Sequence, residues 1–381
     1  MSTPLPRSAF AVTERLNYLN HAAVGVLPIA TREAIDAFVR AHAEGGVMGT
    51  FPYEAKMPEY RDRIGRFIGA SGSEIAVLRN TGDGANVVAL GLDWKPGDEI
   101  VLGDNEFPSN AIPWLALRRH DVKIQLVRSS QTRLTPDALR AAMTPRTRVV
   151  AASWVSFADG YRHDLAELAQ VAHDGGALFC VDVMQALGAF PLDVRACDID
   201  VAYGGGAKWM LALQGVGFVY VRESLIERLA LGSPGWRSAA DMWDFLNYDQ
   251  PYIEDASRFE GGTPNFVGAL SLAHSIDALE QAGPARIAEH VLALTDRLVE
   301  GLQRQGAELL TVRSEGISSG IVTFRMPGVD SIELGRAIQR EGAITTWRSN
   351  GIRVAPHGYN TLEEIDHFIS LVPSCARTLI A

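Results

Sequence analysis

The sequence predicts an α/β protein, with a large domain built on a mostly parallel, seven-stranded sheet followed by a smaller α+β C-terminal domain. Two observations carry this. Between about residue 75 and residue 222, short β-branched runs alternate with amphipathic segments, the pattern of parallel strands joined by right-handed crossovers in a sheet covered on both faces. After Pro251 the order changes to long helical patterns and then a mixture of short strands and helices. The length of 381 residues allows two or three domains and a core that needs no disulfides.

In chain order, residues 1–20 form an N-terminal segment, and helical patterns over about 28–43 and 53–69 precede the sheet. The runs EIAVLR, EIVLG, VKIQLV, TRVVAAS, ALFCVDV and DVAYGG have strand length and read as buried strands. GVGFVYV follows after a gap too short for a helical crossover, so it is expected to run antiparallel. The large domain is expected over 21–255 and the small one over 256–381. In the latter, helices over about 264–305 precede strands near 308–312 and 319–326, a helix near 331–341, strands near 343–355 and a last helix from Thr361.

Composition excludes several classes. With 35 Lys+Arg against 45 Asp+Glu, a net charge of −10 offers no global field for nucleic acid or an anionic membrane, so any phosphate must be held locally. No apolar run approaches the roughly 18 residues of a membrane helix, and none at the N-terminus makes a signal peptide. Cys180, Cys197 and Cys375 are an odd number without metal-ligand spacing, which predicts a reducing, cytoplasmic setting and no metal site.

The chemistry begins at strand ends, where open α/β sheets bind ligands. Asp182 ends ALFCVD, and Lys208 lies just past DVAYGG, so a carboxylate and an amine are expected to face one crevice. That pair suits pyridoxal phosphate: the amine forms a Schiff base with the aldehyde, and the carboxylate keeps the pyridine nitrogen protonated. Gln185, one helical turn beyond Asp182, is placed to donate to the phenolic oxygen. Gly204, Gly205 and Gly206 permit close approach before Lys208, and Trp209 rules out a Walker A loop. A phosphate site is expected at Thr81 and Gly82, where a small-residue turn opens a helix; Asp83 reads as a cap.

These stretches resemble the class V aminotransferase family, the branch of fold-type I pyridoxal phosphate enzymes that contains cysteine desulfurases, isopenicillin N epimerase-like proteins and kynureninases. The resemblance rests on Tyr18-Leu19-Asn20-His21-Ala22-Ala23, RNTGDGAN at 79–86, VDVMQALGAFPLDV at 181–194, AYGGGAKW at 202–209, RFEGGTPN at 258–265 and IRVAPHGYNTLEEID at 352–366. It implies Lys208 as the Schiff-base lysine, Asp182 on the ring nitrogen, Gln185 on the phenolic oxygen, and Thr81 with Gly82 on the phosphate. It adds Arg353 as the clamp for a substrate α-carboxylate. It also adds Thr263 as a contact to the neighbouring subunit's phosphate, hence a homodimer with shared active sites.

The departures from the family pattern are informative. Phe107 stands where desulfurases stack a histidine on the ring, and Phe157 aligns with an asparagine that touches the cofactor. Gly205-Gly206-Ala207-Lys208 replaces Ser-x-His-Lys, a loss for which Tyr203 is the expected compensation. The loop that bears a nucleophilic cysteine in desulfurases is Thr346-Trp347-Arg348-Ser349-Asn350-Gly351, without Cys, so persulfide chemistry is disfavoured. Trp236 with Arg237 and Trp347 with Arg348, in loop-like stretches, are the further candidates for a substrate contact. Asn20 and His21 are expected on the substrate side, and His357 near it.

The activity expected is that of an aminotransferase acting on a small-molecule α-amino acid through Lys208. A β-lyase or C–S lyase, an epimerase and a kynureninase-like hydrolase are the alternatives, and a non-catalytic pyridoxal-phosphate-binding protein is the alternative of another class. A nicotinamide-dependent dehydrogenase is a weaker rival, since no G-x-G-x-x-G follows the first strand.

Overall fold

The computed structural model describes residues 2–128, 133–348 and 350–380; Met1, residues 129–132, Ser349 of the expected 346–351 loop, and Ala381 lie outside the described residues. Strand β1 (Asn17–Tyr18) is followed by helices α1 (Ile29–Gly45), α2 (Val47–Glu54) and α3 (Met57–Phe67). The sequence predicts two helices here and the structure has three. Gly46, at φ 52°, stops the first with a left-handed residue, and the chain re-enters a helix at Val47.

The alternation then follows as β2 (Ile75–Leu78), α4 (Thr81–Gly91), β3 (Glu99–Gly103), α5 (Pro108–Leu115), β4 (Lys123–Val127), α6 (Pro136–Ala142), β5 (Thr147–Ser153), α7 (Leu165–Asp174), β6 (Leu178–Asp182), β7 (Val201–Gly205) and β8 (Gly217–Val221). The seven strands are ordered β2-β8-β7-β6-β5-β3-β4. Strand β8 is antiparallel to both neighbours, as its short link to β7 predicts, and the other six run one way.

Both faces are covered, which is why these strands read as continuous apolar runs rather than alternating ones. Ile64 and Phe67 of α3 and Leu165 and Leu168 of α7 pack on one face. Val88 of α4 and Trp114 of α5 pack on the other, with Leu225 of α8 (Glu223–Ile226).

Helix α9 (Phe266–Ala282) sends Leu270 and Ile276 into the first of these cores, and Gly283, at φ 84°, turns the chain into α10 (Pro284–Arg304). Next come β9 (Glu308–Leu309), β10 (Val322–Arg325), α11 (Ser331–Arg340), β11 (Ala343–Ile344), β12 (Thr346–Arg348), β13 (Gly351–Val354) and α12 (Leu362–Ile380). Strands β12-β13-β10-β9 make an antiparallel sheet. Leu294, Leu298 and Leu302, four residues apart on α10, face it in a separate core with Phe324 and Phe368. Strand β1 pairs with β11, and Asn20 bridges to Ala355, so the N-terminal segment is stitched to the small sheet.

This topology places the site. Because β2, β3, β5, β6 and β7 run in one direction, the segments that follow them leave the same edge of the large sheet. Over that edge the small sheet delivers β13.

Candidate active site

Asp182 is the last residue of β6 and is 5 % exposed. Its Oδ1 accepts the Met184 N–H at 2.7 Å, and its other oxygen accepts no hydrogen bond among the described residues. Lys208 follows β7 and puts Nζ 5.4 Å from the centroid of the Phe107 ring. Burial pushes the Asp182 carboxyl up from its ordinary range, helped by Glu106 and opposed by Lys208. Burial lowers the Lys208 ammonium; Asp182 opposes this, while Arg353 and Arg348 add to it. The result is an amine closer to its neutral, reactive form than a surface lysine.

The third corner is the start of α4. The Asn80 side chain caps it by accepting the Asp83 N–H at 3.0 Å, leaving Thr81 and Gly82 as the first two residues of the helix. Asp83 is therefore not the cap that the sequence predicts; it forms a two-pronged ion pair with Arg79 at 2.7 and 3.1 Å. Thr81, Phe107, Asp182, Gln185 and Lys208 line one cavity of about 220 Å³, together with Ser153 and Phe157. Gln185 donates to Ala22 O at 3.0 Å and accepts from Trp209 Nε1 at 3.1 Å, which fixes its amide orientation.

Arg353 enters from β13. It is 8 % exposed, donates from Nη1 to Phe157 O at 2.9 Å, and leaves Nε without a partner. It pairs with no carboxylate among the described residues. Burial and then Arg348 bring its guanidinium down to about 10. A buried, unpaired guanidinium is costly unless an anion arrives. Phe157 also meets the Phe107 ring edge-on, with centroids 5.2 Å apart.

A buried carboxyl, an amine, an aromatic ring and a helix N-terminus around one cavity fit a flat pyridinium that carries an aldehyde and a phosphate.

Several expected residues lie elsewhere. His21 is fully buried: Nδ1 donates to Ala355 O and Nε2 accepts from the Tyr359 hydroxyl, both at 2.9 Å. Both ring nitrogens are thus spent within the protein, and His21 does not line the cavity. Asn20 spends its amide oxygen on the Thr346 hydroxyl at 2.7 Å and does not line the cavity. His357 is also fully buried, tied to Trp209 O and the Gly358 N–H.

Tyr203 offers no compensation for a missing hydroxyl, because its ring lies under α4 and its OH donates to Asn110 Oδ1 at 2.6 Å. Thr263 is exposed and lines a different groove, with Arg79, Asn86 and Asn265. Arg237 pairs with Glu54, and Trp236 meets the exposed Trp243 ring edge-on. Of the loop candidates, Arg348 comes nearest, 5.7 Å over the Phe157 ring. Glu106, Ser153 and Asn110 were missed as a linked group. Glu106 follows β3 as Lys208 follows β7, so the strand-end logic applied to Asp182 would have found it.

Such a site on such a sheet defines a coenzyme-dependent enzyme of the fold-type I kind. The aminotransferase class-V family model matches residues 17–368, and the chain belongs to that family of pyridoxal-phosphate-dependent enzymes. It is similar to a probable cysteine desulfurase of Methanothermobacter thermautotrophicus, 28 % identical, with 91 % of this chain and 92 % of that protein covered. It is also similar to the isopenicillin N epimerase of Streptomyces clavuligerus, 30 % identical over 91 % and 92 %. Among solved structures, the apo cysteine desulfurase of Thermococcus onnurineus NA1 superposes with a TM-score of 0.89 at 27 % identity, covering 98 % of each chain. These names lend no support to the expectation against sulfur transfer.

Proposed function

We propose that this chain uses pyridoxal 5'-phosphate to act on an α-amino acid, with transamination as the first reading. The observation that carries it is the convergence of Lys208 and Asp182 on one cavity beside Arg353, a buried cation without an anion. Asp182 would hold the ring nitrogen, Thr81 and Gly82 the phosphate, Gln185 the phenolic oxygen, and Phe107 a ring face. When bound, the coenzyme supplies an electron-withdrawing ring that acidifies the α-C–H of the amino acid.

The chain's own residues supply the rest. Arg353 orients the α-carboxylate by its forked donors, while the Phe107 and Phe157 rings wall the cavity beside the amine. Lys208 Nζ takes up and returns the α-proton. Among the described residues Lys208 is the one amine lining the cavity, which favours reactions that a single base can run, transamination or β-elimination, over epimerisation by two opposed bases.

Desulfurase activity is the reading favoured by two relatives' names, and it would need a thiol at the cavity. Cys180 is buried within β6, Cys375 is buried in α12, and burial raises all three thiols above their ordinary range. A homodimer is part of the proposal, supported by exposed Trp243, Phe245, Leu246 and Met48 and by Thr263 lying outside its own chain's cavity. A cytoplasmic location is also part of it, on the strength of three free cysteines. No helix among the described residues is long and apolar enough to cross a membrane.

The test is a screen of amino acids against the coenzyme-loaded protein. Conversion to the amine form of the coenzyme, reversed by an α-keto acid, supports transamination. Pyruvate and ammonia without a keto acceptor would make it a lyase, and alanine with a protein persulfide a desulfurase.

A further inference from the structure

We propose that Glu106 is a second carboxylate of the coenzyme site, a positioning residue that acts on the ring-nitrogen corner through Asp182. This rests on the reading of Asp182 given under Proposed function. Glu106 leaves the end of β3 on the same sheet edge as Asp182. Between them stands Ser153, the residue directly paired with Asp182 across β5 and β6. Ser153 gives Glu106 both of its donors: its N–H reaches Oε1 at 2.8 Å and its hydroxyl reaches Oε2.

The third donor is the Asn110 amide, at 2.8 Å from Oε2. Its orientation is not free, because the Asn110 carbonyl oxygen already accepts the buried Tyr203 hydroxyl. Three donors therefore converge on one carboxyl, and each is neutral. Among the described residues Glu106 has no ion pair; burial pushes its carboxyl up from the ordinary range, and the three bonds oppose that and favour the charged form without cancelling its charge.

Lys208 from the segment after β7 and Tyr203 within β7 also face Asp182; Arg348 and Arg353 of the small sheet act on Lys208 instead. Glu106 is the group in this set that adds negative charge at the Asp182 corner, where a proton has to be kept. Its electrostatic influence on Asp182 is in that direction.

The test is carboxyl titration by carbon NMR of the full chain without coenzyme, using labelled aspartate and D182N for assignment. In E106Q the Asp182 midpoint should fall by about one pH unit, and E106D should keep most of the elevation. Coenzyme affinity, measured separately, should weaken about tenfold in E106Q. Ser153→Ala removes a donor but no charge, and should leave the midpoint raised. An unmoved midpoint in E106Q, or an equal fall in S153A, would overturn this role alone. Failure of the wild-type chain to bind coenzyme would overturn the proposed function and this role with it.

Discussion

Gly25 is pressed against the backbone that carries Lys208. Its N–H donates to Ala207 O at 2.7 Å, and a Cβ at Gly25 would lie 2.0 Å from Lys208 O. From the other side Gly188, at φ 101°, approaches so closely that a Cβ there would lie 2.2 Å from Trp209 O. The reactive lysine thus sits on a turn clasped between the segment that leads into α1 and the segment after β6. Gly25→Ala should destabilise the fold by about 2 kcal/mol, because the added methyl meets backbone that cannot step aside, and should weaken coenzyme binding. Urea unfolding with coenzyme titration checks this; native values for both would contradict the clasp.

Lys208→Ala should remove the visible absorbance of the lysine-bound coenzyme and reduce kcat on the order of 1000-fold. The amine is lost both as the attachment point and as the proton carrier. Stability should change little, since a half-buried ammonium with a lowered proton affinity contributes weakly to the fold. Retained absorbance would show that another group holds the coenzyme.

Arg353→Leu should raise KM for α-amino acids about 10- to 100-fold while leaving KM for plain amines nearly unchanged, the signature of a lost carboxylate contact. In the coenzyme-free protein the same change should leave stability equal or slightly higher, because it removes a buried cation without an anion. Equal effects on amines and amino acids would count against the clamp.

Acid should destabilise the fold in a defined window. His163 donates from Nδ1 to Ser153 O and accepts the Leu134 N–H at Nε2; burial holds its titration down at about 4, against 6.5 in the free side chain. His357 must accept the Gly358 N–H at Nδ1, which keeps its proton on Nε2, and burial brings it to about 4 as well. Both folded-state values lie below the unfolded ones, so between about pH 6.5 and 4 the unfolded chain binds protons that the native chain refuses. The stability is complete above that window and is lost as the pH falls, at roughly 3 kcal/mol per histidine by its lower end. Urea midpoints at about pH 7.5 and about pH 5 should therefore differ, with the lower value at pH 5. The Asp182 carboxyl, pushed up by burial, opposes part of this loss, so the histidine share is read from H163Q, in which the difference should shrink; an unchanged difference would mean that the His163 ring is charged in the native state.

The legible part of this protein is the part in which strand order and burial coincide. Apolar runs that end in Asp182 or lead to Lys208 announce both the strand and its exposed tip, and Thr81 is marked by the turn after β2. His21 and Tyr203 were misplaced for a shared reason: their polar atoms are satisfied by residues far away in the chain, Ala355 and Tyr359 for one and Asn110 for the other. Nothing local distinguishes a histidine that will face substrate from one that will be sealed under α12's lead-in. The break at Gly46 was hidden in the same way, because the residues on both sides are acceptable in a helix and only the left-handed backbone separates them.

Every role proposed for these residues requires the coenzyme to be held on Lys208. The chain has three other lysines, Lys56, Lys95 and Lys123, so borohydride reduction of the loaded protein followed by peptide mass spectrometry is decisive. The expected result is a pyridoxyl phosphate adduct on the peptide that contains Lys208. An adduct on another lysine, or none, would contradict it.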